Sequence, residues 1–227
     1  MIDRNINSLY CVVLAFIAIS AMICMLVDSA FAHFLVAEGG PVETVSAVLY
    51  FACFLLVLMK GGVPFFISRP YFALLPLIFG LRELDFDVRF TGIKIYKVKF
   101  YLSHEISLHA KIIAFCAVAT IITLLLLMIA KESRAFYAEL KQKSYIGRGA
   151  FLIIFLIAVS KSIDGLGRKL ASVGLAVSPA VLRNAPVAEE FLELGIPMIM
   201  CLMFWNYFQR SAAGTGGASA LRCRQLA

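Results

Sequence analysis

Residues Ile121–Ile129 read IITLLLLMI. This apolar run lies inside the longer stretch Glu105–Lys131, and a helix needs about 20 mostly apolar residues to cross the hydrocarbon core of a bilayer. The run has neither the alternating polarity nor the turn residues that are typical of strands in a membrane barrel. The sequence therefore predicts a transmembrane helix here.

Five further apolar stretches lie along the chain, and each is also a candidate span. They are Leu9–Phe34, Pro41–Lys60, Tyr71–Phe90, Gly149–Ile163 and Ala188–Phe208. Charged residues interrupt the third and fifth of the six spans, so these two are the weakest.

The composition agrees with a membrane protein. The 227 residues are 62% hydrophobic and 15% charged, whereas a soluble domain has about 45–50% apolar and about 25% charged residues.

We predict an all-α polytopic bundle of about six spans, formed by a single domain over residues 1–210. Short interfacial segments are expected on its outer side. Residues 211–227, which are rich in Gly, Ala and Ser and basic, are predicted to be a disordered tail.

Basic residues decide the predicted orientation, because Lys and Arg are enriched in cytoplasmic loops. With six spans, both termini lie on the same side. That side carries Arg4, Lys60, Arg69, Lys131, Arg134, Lys141, Lys143, Arg148, Arg210, Arg222 and Arg224. The opposite side carries Arg89, Lys94, Lys97, Lys99, Arg168, Lys169 and Arg183. Eleven against seven favours cytoplasmic termini, and we expect a bacterial inner membrane.

Acidic residues are distributed far less evenly. Of the 14 Asp and Glu residues, only Asp3, Glu132 and Glu139 fall on the predicted inner side. The outer side holds Asp28, Glu38, Glu43, Glu83, Asp85, Asp87, Glu105, Asp164, Glu189, Glu190 and Glu193, and also His33, His104 and His109. The acid–base groups are thus concentrated at one membrane face, which is where a functional site is expected.

The third span contains Arg82-Glu83-Leu84-Asp85. A helix that starts near Tyr71 places Arg82 about 16 Å into the membrane, where a charge is costly unless it is paired or reaches water. Arg82 and Asp85 are three residues apart and can pair on one helix face. Such a pair can be purely structural. The functional interpretation makes Arg82 an anion-binding residue, with Glu83 and Asp85 as candidate catalytic acids.

Two other spans also carry charged candidate residues. Lys161 and Asp164 are also spaced for pairing and are candidate substrate-binding residues. Glu190 and Glu193 open the sixth span and are further catalytic candidates. The helix dipole accounts for acids in a first turn, but Glu193 lies one turn deeper.

Two outer loops supply the remaining candidates. Glu38 and Glu43 flank the turn before the second span and are assigned to substrate binding. The loop Thr91–Tyr101 alternates apolar residues with lysines and has the pattern of an interfacial segment that contacts phosphate headgroups. Lys97 represents this loop among the predicted substrate-binding residues, although the pattern favours simple anchoring of the loop to the membrane.

Several classes of function are not supported. The six cysteines form no C-x-x-C motif, so a thiol redox or cysteine-based zinc site is not expected. The three histidines lack a metal-ligand spacing, so no metal site is predicted. The sequence has no nucleotide-binding loop or G-x-S-x-G motif and indicates no particular cofactor. The positive charge is spread along the membrane flanks, so nucleic acid is not an expected partner.

Four short motifs carry a resemblance to known proteins. They are EGGPVE at Glu38–Glu43, LRELDF at Leu81–Phe86, SKSID at Ser160–Asp164 and AEEFLEL at Ala188–Leu194. Together they resemble a group of uncharacterised six-helix inner-membrane proteins of Gram-negative bacteria, which implies the fold and location but no activity. A more remote resemblance is to the alkaline-ceramidase-like membrane hydrolases, which share an early Glu, a Ser further along the helix and three His. Those enzymes have seven helices and a closing H-x-x-x-H, where this chain has Glu189, Glu190 and Glu193.

Three functions are compatible with these observations. The first is an enzyme that acts on a lipid or a lipid-linked headgroup at the periplasmic face, with membrane lipids as partners. The second is a structural or assembly subunit whose charges pair with another membrane protein. The third is a proton or cation transporter, which the lack of an internal repeat and of inner ionisable groups disfavours. Whether the protein is an enzyme stays open at this point.

Overall fold

A computed structural model describes residues 2–27, 29–104, 106–172, 174, 176 and 178–225, and their side chains except those of residues 2–7, 29, 90, 91, 99 and 211–225. Asp28 and Glu105 lie outside the described residues. In chain order the helices are α1 Ile2–Leu26, α2 Ser29–Val36, α3 Pro41–Ser68, α4 Tyr71–Glu83, α5 Phe86–Thr91, α6 Val98–Leu102, α7 Leu108–Lys141, α8 Tyr145–Ile163, α9 Leu166–Ser172 and α10 Pro179–Gln225. The described part of the chain contains no strand.

Four helical stretches in the described residues are long and apolar enough to cross a membrane: Ser8–Leu26, Ala30–Ser68, Leu108–Lys141 and Tyr145–Ile163. The prediction of an all-helical protein with several helices able to cross a membrane is therefore confirmed, while the count of six spans stays a prediction. Helix α4 is shorter than the predicted third span, because it ends at Glu83 rather than Phe90. The disordered tail over residues 211–227 is likewise untested.

Helix α10 is the centre of the bundle. It packs against α1, α3 and α8, while α4 packs against α3 and α7. Cys53, Ala73 and Ile199 are fully buried between these helices. Many large apolar side chains of α1 and α7 point outward instead, among them Phe16, Ile113 and Leu126. Apolar side chains on the outside of a bundle are what a lipid surrounding requires.

Side-chain contacts define two ends of the bundle. At one end Arg69 pairs with Glu132 at 3.0 Å and reaches Tyr207, and Arg210 lies over the ring of Tyr145. We call this the aromatic end. At the other, acidic end, Lys94 pairs with Glu38 and Asp85, and Lys161 pairs with Glu189. Helix α8 therefore runs from the aromatic end at Tyr145 to the acidic end at Lys161, and α10 runs in the opposite direction, from Glu189 to Arg210.

Two residues with positive φ angles interrupt the helical backbone. Gly62 has a left-handed φ of 66° inside α3, two residues before Pro64, and kinks that helix near the aromatic end. Asp85 has a φ of 45° between α4 and α5. Both conformations are sparsely populated for ordinary residues, and Gly adopts them without steric cost. The turn at Asp85 ends α4 at the acidic end and redirects the chain into the short helices α5 and α6.

Candidate functional site

The carboxylate of Glu193 joins three helices. Its Oε1 accepts hydrogen bonds from Lys161 Nζ at 2.7 Å and from Ser160 Oγ at 2.9 Å, both on α8. Its Oε2 accepts a hydrogen bond from Arg82 Nη2 on α4 at 2.8 Å. Glu193 itself is buried on α10. We call Arg82, Glu83, Ser160, Lys161 and Glu193 the Glu193 cluster.

Glu83 is the second acid that Arg82 neutralises. Arg82 Nη2 also donates to Glu83 Oε1 at 2.8 Å, and the Glu83 side chain is only 4% exposed. The Arg82 side chain is 44% exposed, so Arg82 pairs with buried acids while part of its side chain lies at the surface of the bundle. A buried carboxylate needs such a cation, because an unpaired buried charge is strongly destabilising.

The predicted pairing of Arg82 with Asp85 is wrong. Pairing three residues apart requires both residues on one helix face, and α4 ends at Glu83 before Asp85 is reached. Asp85 instead pairs with Lys94 of the following loop at 3.3 Å, and Lys94 also contacts Glu38 at 3.5 Å. Arg82, Lys161 and Glu193 are thus brought together as predicted, while Asp85 and Glu38 form a neighbouring ion-pair group.

Lys94 holds that second group in place. Partial burial works against its charge, but the neighbouring Tyr96 and the Asp85 carboxylate outweigh this effect, so the pKa of Lys94 is raised above its usual range. Lys94 therefore stays charged and ties the α5–α6 loop to the turn before α3. The sequence offered no signal that separated Lys94 from Lys97, which is exposed and has no ion pair among the described residues.

Lys161 connects the cluster to two further acids. Besides Glu193, it lies 3.8 Å from Asp164 and 3.7 Å from Glu189. The predicted pairing of Lys161 with Asp164 is therefore confirmed. The Lys161 side chain is 47% exposed, much like that of Arg82. Two half-exposed cations thus flank one buried carboxylate.

Glu190 and Glu43 complete the acidic end. Glu190 is partly buried on α10 and within electrostatic range of the Glu193, Glu43 and Glu83 carboxylates. Among the described residues no hydrogen-bond donor is directed at it. Glu43 lies in the first turn of α3, where the helix dipole favours a negative charge. Its carboxylate accepts a hydrogen bond from the backbone N–H of Gly39.

Ser160 is a cluster residue that the sequence reasoning missed. It is fully buried and donates to Glu193. The available signal was its place in the SKSID motif, directly before Lys161. A hydroxyl in an apolar helix needs an acceptor when it is buried, so its position next to a membrane lysine could have marked it.

A cavity of about 370 Å³ is lined in part by Glu189, the acid that pairs with Lys161. It lies between α9 and the first turns of α10, and most of its lining is apolar, including Leu166, Leu182 and Pro186, with Arg168 as the cationic member. A second cavity of about 290 Å³ shares Leu166 with it. The acidic end therefore combines charged groups with adjoining apolar space.

The histidines do not contribute to this site. His33, His104 and His109 are exposed. Within the described ranges, no group of three His, Cys, Asp or Glu side chains is arranged to hold a metal ion.

Comparisons of the chain with protein-family models, with curated proteins and with solved structures found no match. The site is therefore interpreted from its own geometry.

Proposed function

We propose that the protein is an inner-membrane enzyme that binds the phosphorylated headgroup of a membrane lipid at the acidic end of its bundle. Arg82 and Lys161 would hold the phosphate, and Glu190 would transfer a proton in the reaction. In this proposal the chain crosses the membrane six times, both termini are cytoplasmic, and the acidic end faces the periplasm. The observation that carries the proposal is the convergence of two half-exposed cations on Glu193.

The unused donors of the cations support phosphate binding. Arg82 uses Nη2 for both Glu83 and Glu193, and no described residue accepts a hydrogen bond from its Nε or Nη1. Guanidinium groups suit phosphate because several N–H donors lie in one plane. Lys161 adds a second positive charge at Oε1, the other carboxylate oxygen of Glu193. Glu193 is then a positioning residue, since both its oxygens are already engaged.

The acidic end has more carboxylates than Arg82 and Lys161 need for neutralisation, which supports a role for Glu190 in proton transfer. Glu83 and Glu193 are enough to neutralise Arg82 and Lys161, and Glu190 lies beside this balanced group. General acid–base catalysis needs a carboxyl that is close to the reacting group and not consumed by an ion pair. Glu190 fits this requirement better than Glu83, which is buried against Arg82.

The depth of the cluster supports a lipid as the ligand. Glu193 lies about 21 Å along α10 from Tyr207 at the aromatic end. Since the hydrocarbon core is about 30 Å thick, an aromatic end at one interface places the cluster in the outer third of the membrane. Headgroups are reached from that depth, and the adjoining apolar cavities offer space for acyl chains.

A transmembrane conduit is less consistent with the same structure. The space between the Glu193 cluster and the aromatic end is filled by buried apolar side chains, including Val57, Leu75 and Ile199. A path for protons or cations needs polar groups or water along its length.

Lipid binding by the purified protein tests the proposal. Native mass spectrometry would compare dioctanoyl phosphatidic acid with dioctanoylglycerol, which has the same acyl chains and no phosphate. We expect retention of the phosphatidic acid alone. Equal retention of both lipids would show that the cluster does not recognise phosphate.

A further inference from the structure

Two cysteines meet in the core of the bundle. Cys53 of α3 and Cys201 of α10 have their Sγ atoms 3.0 Å apart. Cys53 is fully buried, and Cys201 is partly buried. They are separated by 148 positions in the chain, which is why no local cysteine motif marks them.

The contacts around the two thiols are reciprocal. Cys53 Sγ is 3.6 Å from the carbonyl oxygen of Pro197, one helical turn before Cys201. Cys201 Sγ is 3.5 Å from the carbonyl oxygen of Leu49, one turn before Cys53. Each thiol is thus directed toward the backbone of the opposite helix. Small side chains at both positions allow such a close approach of two membrane helices.

We propose that Cys53 and Cys201 form a reversible disulfide that joins α3 to α10. A disulfide bond is about 2.05 Å long, so the sulfur atoms need to approach by about 1 Å. Two S–H bonds break, one S–S bond forms, and two electrons and two protons leave the thiols. A membrane-soluble quinone accepts all four and becomes the quinol. Such an oxidant suits a pair that lies among apolar side chains.

The disulfide would fix α10 beneath the charged site. Glu193 precedes Cys201 on α10 by about 12 Å of helix, and α3 carries Glu43 at its first turn. Oxidation would therefore restrict the movement of α10 relative to α3. Among the described cysteines, Cys11, Cys24 and Cys116 have no second Sγ atom in contact. They can therefore serve as controls within the same chain. This inference does not depend on the proposed lipid function.

Thiol counting on the full-length protein in membranes tests the disulfide. Membranes are treated with a fully methylated benzoquinone, which has no free ring position to which a thiol can add, and are then denatured and alkylated with N-ethylmaleimide. Intact mass gives the number of alkylated cysteines. The chain has six cysteines, so we expect six modified thiols before oxidation, four after oxidation, and six again after treatment with dithiothreitol.

Single variants identify the pair. Cys53→Ala and Cys201→Ala should each keep five modifiable thiols with or without the quinone. Cys24→Ala, the matched buried control, should fall from five to three. In the wild-type protein, peptide mass spectrometry should find the peptides of Cys53 and Cys201 linked. Six modified thiols in the quinone-treated wild type, or a linkage between other cysteines, would overturn the proposal.

Discussion

Arg82 and Glu193 are 111 residues apart in the chain and meet through a 2.8 Å contact between Nη2 and Oε2. The contact joins α4 to the central helix α10, and the same nitrogen also binds Glu83. Arg82 therefore neutralises two buried acids, Glu83 and Glu193, while 44% of its side chain stays exposed.

Loss of the Arg82 charge should destabilise the protein. Arg82→Leu leaves Glu83 buried without its cation, and breaking a fully buried pair costs about 3–5 kcal/mol. We expect about 2–3 kcal/mol here, because Arg82 is partly exposed and its pairs are accordingly weaker. The measurements are thermal unfolding in detergent and abundance in the membrane by immunoblot.

A second substitution should show which acid depends on Arg82. Arg82→Leu combined with Glu83→Leu should recover most of the lost abundance, since apolar residues often replace a buried ion pair at little cost. Arg82→Leu combined with Asp85→Leu should recover none, because Asp85 pairs with Lys94 instead. Recovery by the Asp85 variant alone would contradict the structure.

Ser160 should contribute measurably to the cluster. Its hydroxyl donates to a charged acceptor, and such hydrogen bonds contribute about 1.5–3 kcal/mol. We expect Ser160→Ala to lower the free energy of unfolding by this amount. Ser162→Ala is the matched control, because Ser162 is exposed and, within the described part of the chain, bonds only to Ala158 of its own helix. Equal effects of the two variants would remove Ser160 from the cluster.

Glu190 should affect the reaction and not the binding of lipid. General acid–base groups contribute about 10²–10⁴-fold to a rate, so Glu190→Gln should lower turnover of a labelled phospholipid by a factor in that range. Lipid retention should be unchanged. Glu139→Gln, near the aromatic end, is the control and should behave as the wild type. Thin-layer chromatography measures the product, and wild-type turnover by Glu190→Gln would exclude this role.

The orientation can be tested by reporter fusions. A phosphatase fused within residues 91–101 should be active in the periplasm, and a fluorescent protein fused after residue 227 should be fluorescent in the cytoplasm. The expectation follows from the greater number of Lys and Arg on the side of the termini. A periplasmic C-terminus would reverse the orientation and place the acidic end at the cytoplasmic face.

The sequence was informative where the signal is local. Apolar runs such as Ile121–Ile129 predicted helices long and apolar enough to cross a membrane, which is confirmed. Glu193 was singled out because it lies one turn too deep for the helix dipole to account for it, and it does lie at the centre of the cluster. Lys161 and Asp164 pair within one turn, as their spacing predicted.

Non-local relationships were beyond the sequence. Spacing alone offered Asp85 as the partner of Arg82, because helical periodicity gives no information on where a helix ends. The left-handed turn at Asp85 broke that periodicity. The contact between Cys53 and Cys201 depends on how α3 crosses α10. Local patterns in one sequence do not show which distant helices pack against each other.

The most direct test of the account compares two arginines in one lipid-binding measurement. Arg69 and Arg82 have similar exposed fractions, 39% and 44%, and each is paired with a Glu, at opposite ends of the bundle. Native mass spectrometry with dioctanoyl phosphatidic acid would be applied to Arg82→Lys and to Arg69→Lys. Lys keeps the charge but lacks the planar set of donors. We predict that Arg82→Lys weakens retention about tenfold, equivalent to about 1.4 kcal/mol, while Arg69→Lys binds as the wild type. Unchanged binding by Arg82→Lys, or equal losses in both variants, would contradict the assignment of Arg82 to the phosphate.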